Sequence, residues 1–78
     1  MARLTECIKA GDKDMRPGWR IKFDYDQFTV SALKKAIPFT EREWNPETYC
    51  WWVSDEYREV LRTLFGNFED FLYQGRLL

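Results

Sequence analysis

Histidine is absent from this 78-residue chain. That removes the commonest general acid–base and the commonest metal ligand together. Cysteine is scarce, with Cys7 and Cys50 the whole supply. Two thiols cannot complete the four-ligand shell of a structural zinc site. A Cys7–Cys50 disulfide is conceivable, but the opening Met-Ala-Arg-Leu-Thr-Glu turns charged at once and forms no apolar leader. The chain therefore reads as cytoplasmic, with both thiols reduced. No apolar run approaches the ~18 residues of a membrane span, so no membrane partner is expected.

Glycine is also sparse, and the four glycines are scattered. They build no phosphate-cradling loop, and no Ser, Cys or Lys stands in a nucleophile-elbow or P-loop setting. Carboxylates pair at Asp24/Asp26, Asp55/Glu56 and Glu69/Asp70. The last two pairs fall at predicted helix starts, where capping is their ordinary role. The expectation is a protein that is not an enzyme and needs neither metal nor cofactor.

Aromatic residues are plentiful, at 18% of the chain. A domain this small has a high surface-to-volume ratio. Rings that bury about 150–250 Å² each are an economical way to build its core. One domain over residues 1–78 is expected, with no linker, repeat or low-complexity tract.

The periodicity predicts an α+β domain. Residues 2–9 suit a strand with Leu4 and Ile8 on one face, or a helix face with Leu4, Cys7 and Ile8; the strand is preferred. Residues 10–18 read as a loop ending in Arg16-Pro17-Gly18. Trp19, Ile21, Phe23 and Tyr25 alternate with Arg20, Lys22 and Asp24, the mark of a half-buried strand. Asp26 caps a helix running to about Ile37, and Pro38 stops it. Glu41–Trp44 and Tyr49–Val53 form a hairpin about Asn45-Pro46-Glu47-Thr48. Ser54 caps a second helix with Tyr57, Val60, Leu61, Leu64 and Phe65 on one face. A last short helix runs from about Asn67 to Gln74, with Phe68, Phe71 and Leu72 inward. The order is β(β)αββαα: a small antiparallel sheet of about three or four strands against two or three helices. Trp19, Ile21, Phe23 and Tyr25 should meet Val30, Leu33, Ile37, Val60, Leu61 and Leu64, with Trp44 and Trp51 packing on the helices. Trp52 then points to the other face, where it is either covered by a terminal segment or free.

The chain has a net charge of −1, unevenly distributed. Residues 1–42 hold nine Lys/Arg against six Asp/Glu; residues 43–78 hold three against seven. The first half can therefore present a basic strip of Arg16, Arg20, Lys22, Lys34, Lys35 and Arg42. A free Trp52 beside Arg20 and Lys22 would suit base stacking. It would equally suit a protein hot spot.

The stretch Ile37-Pro38 through Arg42-Glu43-Trp44-Asn45-Pro46-Glu47 to Trp51-Trp52-Val53 resembles a pattern of HARP-like (HepA-related protein) domains. That pattern runs Ile-Pro, Arg-x-Trp, Asp-Pro-Glu, Trp-x-Val. Here Asn45 stands for Asp, and the gap between Ile-Pro and Arg-x-Trp is longer. With the flanking strand and helices, the likeness spans residues 19–65. It implies DNA-structure binding or service to a helicase. The expected function is thus a binding module for DNA, single-stranded or forked, acting through Arg16, Arg20, Lys22, Lys34, Lys35, Arg42 and Trp52. The alternative is a protein-interaction adaptor or small phage-type modulator, as a monomer or weak homodimer. One contiguous basic face favours the first reading, and scattered charge the second.

Overall fold

The computed structural model describes residues 3–71. Four strands form one antiparallel sheet: β1 (Leu4–Lys9), β2 (Gly18–Phe23), β3 (Arg42–Asn45) and β4 (Cys50–Ser54), in the order β1-β2-β4-β3. Helices α1 (Gln27–Ala36) and α2 (Arg58–Leu64) supply the second layer, with further helical residues at 68–71. The architecture is the expected α+β arrangement. The expected position of Leu72 lies outside the described residues.

Local chemistry accounts for the elements. Asp26 caps α1, accepting the Phe28 N–H at 3.0 Å and the Thr29 hydroxyl at 3.0 Å. Those bonds hold its carboxyl below the usual carboxylate range, the Phe28 N–H contributing most. Ile37 leaves the helix in an extended conformation, as a residue before proline prefers. Ser54 caps a short 3-10 turn, Asp55–Tyr57, and α2 starts only at Arg58, later than the periodicity suggests.

The register sorts the side chains. Trp19, Ile21, Trp51 and Val53 face the helices, and Leu33, Ile37, Leu61, Phe65 and Phe68 close over them. Trp19 meets Phe68 edge-on at 5.3 Å between ring centres, and Phe23 meets Phe65 at 5.0 Å. Val30, Val60 and Leu64 pack at the margin, as does Phe71. Tyr25 departs from this layer. Strand β2 ends at Phe23, so the alternation carries Tyr25 past the sheet, and the residue is 81% exposed.

Two ties were not visible in the periodicity. The register of β1 shifts between Leu4 and Glu6, so Leu4 and Cys7 both face the core and Ile8 faces away, half exposed. The bulge overturns the expected Leu4/Ile8 face. Leu4 is also clamped by Asn67: the amide oxygen accepts its N–H at 2.8 Å, and the amide nitrogen donates to its carbonyl at 2.9 Å. No helix among the described residues is long and apolar enough to cross a membrane.

Candidate functional site

Each face of the sheet holds part of the predicted basic strip. On the face away from the helices, Arg20 and Lys22 flank Trp52, which pairs across with Arg20. Trp52 is 1% exposed. Its indole N–H donates to the Ala10 carbonyl at 2.8 Å, and the Arg16 guanidinium lies 5.6 Å from its ring centre. The β1–β2 connection, residues 10–17, is therefore a strap laid across this face. Gly18 makes the fit possible, since a β-carbon there would stand 2.5 Å from the indole. The expected stacking role for Trp52 is corrected accordingly: the strap, not a terminal segment, covers it.

The cations on this side already have partners. Arg20 donates two hydrogen bonds to the Asp12 carboxylate, at 2.9 and 2.7 Å. Arg16 bonds the Glu41 carboxylate at 2.6 Å and the Thr40 carbonyl at 3.0 Å. Lys22 stands 3.8 Å from Glu6. Hydrogen bonds from the two arginines are the main reason that Asp12 and Glu41 titrate below the usual carboxylate range. The same bonds raise Arg16 and Arg20 above the ordinary guanidinium value.

Toward the helices the arrangement differs. A groove of about 570 Å³ runs between α1 and β3. Its aromatic lining is Tyr25, Phe39, Trp44 and Trp51, and its cations are Lys13, Lys34 and Arg42 against the one carboxylate of Glu43. Phe39 is 75% exposed and Trp44 42% exposed. Trp44 thus lies half in solvent and not in the expected core, because β3 is an edge strand and α1 does not reach over it. Trp51 is buried beneath it, 5.2 Å from the Trp44 ring centre.

None of the groove cations forms an ion pair among the described residues. Lys13 donates to the Phe39 carbonyl at 3.4 Å and the Arg42 carbonyl at 3.5 Å. Arg42 donates to the Ile37 carbonyl at 2.9 Å and lies 6.0 Å from the Trp51 ring centre. These bonds orient the cations without cancelling their charge. Lys34 reaches the groove from the last turn of α1, and Lys35 beside it is exposed.

The structure thus joins Lys34 and Arg42 at one site and leaves Arg16, Arg20, Lys22 and Trp52 elsewhere. Lys13, Tyr25 and Phe39 were missed by the sequence reading. Tyr25 and Phe39 had a faint signal: each is an aromatic residue just beyond the end of a regular element. Lys13 had none, because the strap that carries it crosses the sheet.

Compared with known proteins, the chain matches no family model, no curated protein and no solved structure.

Proposed function

We propose that this chain is a non-catalytic binding module that takes single-stranded nucleic acid in the groove between α1 and β3. One observation carries the reading: exposed rings and cations without carboxylate partners converge there. Bases stack on aromatic faces, and the intervening phosphates seek unpaired ammonium and guanidinium groups. The HARP-like resemblance points the same way, toward DNA structures and helicases. A forked DNA would offer such a strand in its unpaired arms.

The test is fluorescence anisotropy with a fluorescein-labelled oligothymidine, long enough to fill a small site of about 4–16 nucleotides. Binding is expected at about 50 mM salt and should weaken as salt rises, with a slope near −0.7 per phosphate contact. Trp44→Ala should weaken it by removing a stacking surface worth about 1–3 kcal/mol per base.

The protein-adaptor reading has its own support. The chain carries 12 Lys/Arg against 13 Asp/Glu, and Trp44 beside Arg42 has the composition of a protein hot spot. If no salt-dependent oligonucleotide binding appears at about 50 mM salt, that reading replaces the first.

A further inference from the structure

The turn between β3 and β4 holds an aromatic residue in an unusual backbone conformation. Asn45 opens the turn, its side-chain oxygen accepting the N–H of Glu47 at 2.9 Å and of Thr48 at 3.4 Å. The chain then re-enters β4 through Tyr49, whose φ is 57°. This left-handed region suits glycine, and asparagine enters it with less cost than other residues. A tyrosine is disfavoured there. The tyrosine expected to start the second hairpin arm is therefore a turn residue, and β4 begins at Cys50.

Burial does not offset that disadvantage, since Tyr49 is 67% exposed. Its hydroxyl has no hydrogen-bond partner among the described residues. Its one aromatic partner among the described residues is Trp44, at 6.2 Å and an interplanar angle of 66°. Trp44 is the half-exposed ring of the groove, so the Tyr49 ring continues the groove's aromatic surface beyond its lining.

We infer that Tyr49 is a ligand-contacting residue, a stacking platform that extends the site by one base past Trp44. The inference rests on the single-strand reading above. A conformation unfavourable to tyrosine, around a ring with little internal role, is the pattern of a side chain retained for what it meets outside. A merely structural turn residue would be as well served by asparagine.

Opposite signs in stability and binding test this. Tyr49→Asn and Tyr49→Phe are compared with the parent by thermal melting and by anisotropy with labelled oligothymidine, at a temperature where all are folded. Tyr49→Asn is expected to hold or raise Tm while weakening binding roughly five- to tenfold, toward the low end of the stacking range. Tyr49→Phe should hold both. Unchanged binding by Tyr49→Asn overturns the assignment. So does a fall in its Tm, which would make the ring a support of the hairpin, or an equal loss of binding with phenylalanine. A parent protein that does not bind at all removes the single-strand reading and this assignment together. A parent that binds with Tyr49→Asn unimpaired removes only the assignment.

Discussion

On the strap side of the sheet, Arg16, Arg20 and Lys22 are each ion-paired with a carboxylate; in the groove, Lys13, Lys34 and Arg42 share the lining with the single carboxylate of Glu43 and form no ion pair among the described residues. The indoles divide in the same way. Trp52 lies under the strap with its N–H bonded, and Trp44 stands half in solvent on the edge strand. One side is closed by satisfied polar contacts, while the other keeps rings partly exposed and its cations without ion pairs among the described residues. The contrast teaches that a count of cations is a poor guide to a basic surface. The six-residue strip is real as composition, but pairing neutralises half of it. The positive groove is smaller, and it depends on Lys13 from the strap.

The largest expected effect separates the core from both faces. Leu61, on the inner face of α2, is fully buried, and Leu61→Ala should cost about 2–5 kcal/mol in denaturant unfolding. The strap contacts should survive that change. Gly18→Ala strikes the closed face alone. Its new β-carbon would press into the Trp52 indole and the Val53 carbonyl, at an overpacking cost of about 1–3 kcal/mol. Near-neutral behaviour of Gly18→Ala would show that the Trp52 indole does not pack tightly on Gly18.

Charge reversal sharpens the contrast in binding. Lys34→Glu should reduce oligonucleotide affinity roughly tenfold, equivalent to about 1.4 kcal/mol. Lys22→Glu, on the face already neutralised by Glu6, should change it less than about twofold, as befits an exposed and weakly coupled pair. Equal losses from the two variants would dissolve the distinction between the faces.

The smallest effect concerns pH. Asp12, Asp26 and Glu41 all titrate below their ordinary values in the folded chain. Each favours the folded state while ionised. Their contribution is complete above the ordinary carboxylate range of about 4 and is lost as the pH falls through the lowered folded values. Melting curves from about pH 7 to pH 3 should show Tm falling mainly at the acid end. Asp12→Asn should flatten part of that fall, because it removes one of the three titrations.

Much of the fold was legible in the residues. Alternation from Trp19 to Phe23, the Asp26 cap, the stop at Pro38 and the Asn45-Pro46 turn are local signals, and local physics decides them. The illegible parts depend on distant partners. The bulge after Leu4 inverts Ile8, and nothing within residues 4–9 announces it. The exposure of Tyr25 follows from where β2 stops pairing. The covering of Trp52 depends on a connection that reads in isolation as an ordinary charged loop. The groove was half legible for the same reason. Lys34 and Arg42 lie on or beside elements that periodicity locates, whereas Lys13 arrives by a path that only the folded chain reveals.

The Asn67 amide has a consequence for how the domain comes apart. By taking both backbone groups of Leu4, it joins positions 63 residues apart, so the domain is closed on itself like a belt with a two-pronged buckle. Neither end of that belt can peel away alone: freeing β1 strands a buried amide, and freeing Asn67 strands the backbone of Leu4. Fraying at the two ends should therefore be a single event. Amide exchange at Leu4 should track the opening of residues 65–68 more closely than that of its own neighbours in β1.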